Sequence, residues 1–400
     1  EPVGRRLVHA DGTAADGVAA TDDHRTIVGH FTAAGDLDTT FGAGGWFRQN
    51  LAVGTSGEVA RGIGLQSDGR IVVAATVEHV AAGADARDRD VAVARVNTDG
   101  TLDGTFGTAG IAILDLTDGE AVPAPGTGYA ADGAWNLEID PTDRIVIAVQ
   151  VKRAGATDTD HGIVRLTSSG TLDTTFSSDG VYSFDIANVN ASVRDVRILP
   201  DGRIAGAGYY TEGGVVRPVL YELDASGAPV TTFGTAGVYT EVVLSRQVEA
   251  YGAVLQNGTH FVTAGYGGDV GTTNDFISLR VDANTGVRDL TYGGGDGVAL
   301  LTGFDFGDAA RNAVVMPDGG VMLIGRIAAG LTPRLCVGGT MAGTACTMDS
   351  ECPGGGCPST RFEAALWLMT PDGASDTTFS TDGVELHHNY VGDSVLDRGV

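Results

Sequence analysis

The sequence predicts an all-β fold, a six-bladed β-propeller of four-stranded antiparallel blades closed by pairing of the N- and C-terminal strands. Three observations predict it: a short element written six times, an Asp-Gly turn that recurs before it, and chain ends that complement each other. The element is clearest as Gly100-Thr101-Leu102-Asp103-Gly104-Thr105-Phe106-Gly107. It returns at 35–42 and 170–176, and in divergent form at 227–234, 286–293 and 373–379. Tandem repetition on this scale decides the architecture before any local signal does.

Each unit carries two signatures. The first is an Asp-Gly turn opening a β-branched run, as in Asp68-Gly69-Arg70-Ile71-Val72-Val73 and Asp201-Gly202-Arg203-Ile204. Such a pair between apolar runs is the strongest short-range hairpin signal. The second is an apolar strand followed by the Leu-Asp-x-Thr-Phe-Gly turn. The second unit then reads as strands at about 59–65, 70–77, 91–96 and 111–116. No stretch holds a capped 3.6-residue period, so helices are expected to be scarce. A β-solenoid is the rival, but its rungs are shorter than these units.

The units fall at 1–52 with 391–400, 58–117, 133–186, 193–243, 248–303 and 309–386, in one domain of 1–400. A Cys-rich insertion, 331–361, interrupts the sixth. Residues 4–10 align with 69–75, so the chain enters after the first strand of a unit, and 393–400 resembles the missing strand at 58–63. Joining the two ends would remove an exposed sheet edge. The alternative is that 395–400 completes a neighbouring molecule and builds a filament.

Bulk composition narrows the function classes. Hydrophobic residues make up 42% of 400, enough for a large core. The 61 glycines lie between short apolar runs, where turns need positive φ. A formal charge of −26 with a single lysine, Lys152, argues against nucleic-acid and anionic-membrane partners. No apolar run reaches the ~18 residues of a membrane span. Glu1 at the start is consistent with a processed N-terminus.

The double signature, at Asp68–Val73, Arg95–Gly107 and Arg165–Phe176, resembles the delta-60 repeat family of exported bacterial proteins. The resemblance implies a propeller-like array, extracellular or at the cell surface, and brings no catalytic motif. Val230 in place of Asp, Tyr292 in place of Phe, and the sixth-unit insertion depart from the pattern.

Internal comparison assigns the repeated charges. Arg95 precedes Asp103, and Arg165 precedes Asp173, by eight residues; Arg280 precedes Asp289 by nine. These read as Arg–carboxylate pairs closing each turn, with His30 and Asp38 a weaker version. In unit four the basic position is Glu222 and the acidic partner has become Val230. Phe41, Phe106, Phe176, Phe233 and Phe379 read as core between blades. A ring of ligand-binding carboxylates is the competing reading.

Cys336, Cys346, Cys352 and Cys357 all lie in the insertion and lack the paired short spacing of a zinc site. Two disulfides are expected, with three pairings open, in an oxidising compartment. Acidic loops offer structural calcium candidates at Asp88, Asp90, Asp158, Asp160, Asp296, Asp305 and Asp308, though none forms the twelve-residue calcium loop. A solvated acidic surface is the simpler account, and no other cofactor is expected. His387-His388 could hold metal, but adjacent strand residues point to opposite faces.

No nucleophile elbow, zinc-protease helix or phosphate-binding glycine loop is present. The expected role is therefore non-catalytic: an extracellular binding or scaffolding module for protein or glycan. Its recognition loops would be 81–87, 119–131, 152–160, 267–274 and 331–361. The alternatives are a filament or coat subunit joined by the terminal strand, and a calcium-dependent propeller enzyme. The identity of the ligand is not legible.

Overall fold

The structure, a computed structural model, describes residues 5–7, 26–52, 58–78, 89–117, 132–152, 158–302, 307–330, 337–338, 340, 344–346, 349–353, 355–356 and 360–387. The proposed terminal clasp at 395–400 and the loops at 81–87 and 119–131 lie outside them. The chain divides into two compact units, Glu1–Thr211 with Glu222–Val230, and Glu212–Tyr221 with Thr231–Val400.

The first unit opens with β1 (Arg5–Leu7), β2 (Thr26–His30) and β3 (Trp46–Gln49), paired in that order. A four-stranded antiparallel sheet follows, β4 (Val59–Leu65), β5 (Ile71–Glu78), β6 (Arg89–Val96) and β7 (Ile111–Leu114). The next repeats it with β8 (Gly133–Ile139), β9 (Ile145–Val151), β10 (Asp160–Leu166) and β11 (Val181–Phe184). Then β12 (Ala191–Ile198) pairs with β13 (Ile204–Glu212).

In the second unit β14 (Val215–Leu223) pairs with β15 (Val238–Thr240) over Val219–Tyr221. One four-strand path runs β16 (Gln247–Gln256), β17 (His260–Gly268), β18 (Asp275–Asp282) and β19 (Val298–Leu301). The last sheet is β20 (Ala309–Val315), β21 (Val321–Gly330), β24 (Thr360–Met369) and β25 (Val384–His387). Between its middle strands sit the two-residue β22 (Val337–Gly338) and β23 (Gly355–Gly356). The only helical turn among the described residues is Asp349–Glu351.

Burial follows strand position. The inner strands β6 and β10 are buried along both faces, and in β6 the run Val91–Ala94 is wholly apolar. The outer β7 alternates, with Ala112 and Leu114 buried and Ile113 exposed. Gly69 and Gly202 take φ of 88° in the hairpin turns. Asp143 holds the equivalent place at φ 64°, where aspartate is among the few residues that tolerate it. Its carboxylate accepts hydrogen bonds from Ser67 N and Oγ, both at 2.6 Å.

Apolar side chains from successive sheets form the cores. In the first unit Val72, Val91 and Val93 pack with Leu137, Ile147 and Val149 around Phe106. In the second, Val262, Phe276 and Tyr292 pack with Leu323, Trp367 and Met369.

A repeated joint, seen three times, ties a turn to the repeat that follows it. Arg95 Nε donates to Asp103 Oδ2 at 2.8 Å, and its Nη1 reaches the Ser168 carbonyl of the following repeat at 2.6 Å. Arg165 does the same with Asp173 and Ala225, and Arg280 with Asp289 and Pro371. Each guanidinium lies over an aromatic ring, Phe106, Phe176 or Tyr292, at 4.7–4.9 Å from the centroid. The next repeat's glycine closes on that ring. A Cβ on Gly170 would stand 2.6 Å from Phe106, on Gly227 2.8 Å from Phe176, and on Gly373 2.6 Å from Tyr292.

Unit four keeps the ion pair in exchanged form. Glu222, fully buried, accepts from Arg203 Nη1 at 2.6 Å, so the Asp-Gly-Arg turn supplies the cation. The carboxylate has moved from the turn onto the strand, and Arg203 reaches it there.

Two glycines separate backbone strain from packing. Gly213 has φ 59° and open space around it, whereas Gly170 has φ 90° and the Phe106 ring against it. Gly213→Ala should cost about 1 kcal/mol for left-handed backbone, and Gly170→Ala roughly 3 kcal/mol once the clash is added. Denaturant midpoints at unchanged m-value measure both.

Candidate functional site

The first strand of five repeats carries one extra residue at the same step of its ladder. The register slips around Arg61 in β4, Trp135 in β8, Arg194 in β12, Tyr251 in β16 and Arg311 in β20. A bulge leaves that residue outside the ladder and redirects its side chain. All five are long cationic or aromatic side chains.

In the first unit three of these meet. The guanidinium carbon of Arg61 stands 3.9 Å from the Trp135 ring centroid and that of Arg194 stands 3.6 Å from it. Two planar cations at such distances occupy opposite faces of the indole. Their separation is therefore roughly 7–8 Å, where two like charges repel by about 2 kcal/mol at an effective dielectric of 20. Each cation–π contact returns about 1 kcal/mol, so the indole roughly cancels the repulsion.

Arg194 is held from two further sides. Its Nη1 donates to Ser192 Oγ at 2.8 Å and its Nη2 to Tyr209 Oη at 2.9 Å. Ser192 Oγ in turn donates to Gln150 Oε1 at 2.9 Å. Gln150 belongs to a cleft of about 170 Å³ lined also by Arg61, Arg89, Trp135, Thr76 and Thr159. Thr76 anchors the wall by accepting from Ala134 N at 3.0 Å.

Beneath this wall lies His161, fully buried and stacked on Phe184, with Nε2 3.0 Å from the Tyr209 carbonyl. That contact requires the Nε2–H tautomer of a neutral ring. Burial pushes His161 down to about 4; the Tyr209 bond opposes this and the charge of Arg194 adds to it.

The second unit holds a related cluster of its own. Arg311 stacks on Tyr251 at 3.9 Å and faces Tyr266 at 5.3 Å. Burial, and next Glu249, drive the Tyr266 hydroxyl far above the usual tyrosine range.

The residues singled out from sequence fall elsewhere. Arg95–Asp103, Arg165–Asp173 and Arg280–Asp289 sit in the joints described above, and His30 Nδ1 lies 2.9 Å from Asp38 Oδ2. Burial alone would raise Asp103, but Thr105, Arg70 and Arg95 outweigh it and hold the carboxyl well below its ordinary range. Cys346 and Cys352 are buried and disulfide-bonded; Cys336 and Cys357 lie outside the described residues.

Among the calcium candidates, Asp158 and Asp160 come together with Asp185, their oxygens within 4.8 Å of one another. Asp296 instead caps Val298 N, Asp90 and Asp308 are buried apart from that group, and Asp88 and Asp305 lie outside the described residues. His387 is exposed on β25, and His388 is outside the described residues. No helix of the described residues is long and apolar enough to cross a membrane.

Sequence reasoning did not find Arg61, Trp135 or Arg194. The available signal was positional: each lies eight residues before the turn position held by Gly69, Asp143 or Gly202.

A family profile described as a β-propeller domain of unknown function (DUF5122) matches residues 66–106, 141–176 and 199–233, less than half of the chain. Each segment runs from the hairpin turn to the repeat's phenylalanine. The chain thus carries a propeller-like repeat in an all-β fold. No curated protein matches it.

Among solved structures it is similar to the NanB sialidase of Streptococcus pneumoniae, at 10% identity and TM-score 0.46 over 80% of this chain and 62% of that one. The Hadza microbial sialidase Hz136 gives 13% and 0.41, covering 75% and 57%. The GH43 endo-arabinanase of Bacillus licheniformis gives 15% and 0.35, covering 77% and 94%. The chain spans less than two thirds of the sialidase chains it matches.

These names correct the functional expectation. The expectation of a non-catalytic binding or scaffolding module, or of a filament subunit, is corrected by neighbours named as sialidases and an endo-arabinanase. Missing linear motifs were a poor guide, because side chains from separate strands converge in this fold, as Arg61, Trp135 and Arg194 do. At this identity and TM-score the likeness assigns no activity to the chain.

His161 gives the wall a pH signature. A ring whose folded pKa lies at about 4, against 6.5 ordinarily, refuses a proton that the unfolded chain accepts. Its contribution is complete above pH 6.5 and falls by roughly 3 kcal/mol as pH drops through 6.5 to 4. Unfolding free energies of the native chain and of His161→Phe should diverge with that slope, and their difference cancels the shared carboxylates.

Proposed function

We propose that the chain is a glycan-active protein, a six-bladed propeller of delta-60 type, that takes a sugar in the cleft of its first unit. The observation carrying this reading is the lining of that cleft. Thr76, Thr159, Gln150, Arg61 and Arg89 crowd hydroxyl, amide and guanidinium groups around a single indole, Trp135. A polyhydroxylated ring offers each of them a donor or acceptor and presents C–H faces to the indole edge.

Size supports the same class. At about 170 Å³ the cleft is smaller than the ~300 Å³ where drug-sized pockets begin. A single sugar residue at the end or branch of a longer glycan suits it. The charge of −26 argues against densely anionic polymers.

The test is a panel of defined oligosaccharides incubated with the full chain, with released sugars read by chromatography and binding by tryptophan fluorescence. Released sugar together with a saturable signal is expected for at least one glycan. Gln150→Leu should weaken that binding about tenfold, the worth of one good hydrogen bond. A panel without release or saturation sinks the reading.

A further inference from the structure

We infer that Gly133 and Gln150 decide which hexose this cleft admits: Gly133 leaves its floor open, and Gln150 reads the group placed there as a hydrogen-bond acceptor. The inference rests on the glycan reading above and narrows it to sugars that bring an oxygen, rather than an amine, to that point.

The floor comes first. Gly133 opens β8 and stands directly opposite Gln150 in the ladder. A Cβ on it would meet Thr76 Oγ1 at 3.8 Å, and Gln150 Cβ and Trp135 Nε1 both at 3.9 Å, which are ordinary van der Waals distances. Its backbone takes no positive φ. Other strand glycines are closed in: a Cβ on Gly162 would stand 2.9 Å from the Val149 side chain, and one on Gly208 would run into the Ser192 carbonyl. Neither backbone conformation nor packing therefore requires glycine at 133. A strand glycine weakens its ladder and often marks a place where a ligand approaches closely. What it leaves here is room in the cleft among a hydroxyl, an amide and an indole.

The polarity of that room follows from a chain of donors. A guanidinium can only donate, so Arg194 Nη1, at 2.8 Å, makes Ser192 Oγ an acceptor. The Ser192 proton then goes to Gln150 Oε1 at 2.9 Å, a better placed acceptor than the Val193 carbonyl at 3.4 Å. With Oε1 turned to Ser192, the side chain presents Nε2 to the cleft. Among the described residues Nε2 has no acceptor. An amide nitrogen only donates. A ligand oxygen completes its bond, whereas a protonated amine would set donor against donor.

The experiment measures binding of glucose and of its singly substituted deoxyfluoro and amino-deoxy analogues to the full chain, by tryptophan fluorescence. Fluorine accepts but cannot donate. At one ring position it should bind about as well as the hydroxyl, while an amine there should cost about tenfold, the worth of one hydrogen bond. Gln150→Glu keeps the Ser192 bond through one oxygen and offers the cleft an acceptor through the other. In that variant the preference at the same position should reverse, an effect that a general cationic field around the cleft would not produce. Gly133→Ala should weaken every member of the series about tenfold by filling the floor, at an unchanged thermal midpoint.

Sugar binding indifferent to fluorine and amine at every position, and to Gln150→Glu, would overturn the inference and leave the glycan reading standing. Unchanged affinity in Gly133→Ala would do the same, by placing the sugar elsewhere. Silence from the whole glucose series, with the chain folded by circular dichroism, would overturn the inference; silence from the oligosaccharide panel as well would remove the glycan reading too.

Discussion

A buried guanidinium is costly unless several partners share it, since the effective penalty for burying one ion is several kcal/mol. Arg95 meets that requirement with Asp103, Gln66, Thr105, the Ser168 carbonyl and the face of Phe106. Those partners belong to three places: the arginine's own turn, the hairpin before it, and the following repeat. One side chain therefore fixes three backbone segments. The Phe106 ring can lie flat only because Gly170 has no Cβ, which ties the turn glycine to the arginine. The short Leu-Asp-x-Thr-Phe-Gly element is constant because each residue completes the environment of another. Asp103 Oδ1 also takes Thr105 N and Oγ1, so the carboxylate is saturated before any ligand could reach it.

Fixing the joint fixes the ladder. The slips at Arg61, Trp135 and Arg194 occur at the same distance from the hairpin turn, so the joint determines which residues leave the sheet. Joint positions hold Arg, Asp and an aromatic with little change, whereas bulge positions change from one sheet to the next. A position that is geometrically constant and chemically variable suits recognition, because altering it leaves the packing intact. The Arg311 cluster of the second unit follows the same rule with tyrosines in place of the indole.

Much of this was legible in the chain itself. The repeat, the scarcity of helix and the strands around Asp-Gly turns follow from motifs whose chemistry is local. The site was not legible, for a physical reason. Arg61, Trp135 and Arg194 carry no mutual spacing that a linear pattern could register, and a bulge is a property of pairing between two strands. Unit four shows the same limit at the joint. Glu222 in place of arginine and Val230 in place of aspartate look like the loss of an ion pair, yet Arg203 completes one from a turn that looked purely structural. Position in a repeat predicts environment better than it predicts partner.

Charge distribution then sets what can approach the cleft. At a distance the chain presents a net charge of −26, and at physiological salt that field decays over about 8 Å. Within that length the field is local, and on this wall it is set by Arg61, Arg89 and Arg194. A dense polyanion keeps many charges outside the short range and is repelled as a whole. The depressed His161 belongs to the same logic: a protonated ring there would add a fourth cation to a wall already near the limit that the Trp135 faces can offset. Keeping that ring neutral leaves the positive field to guanidinium groups, which do not titrate near neutral pH.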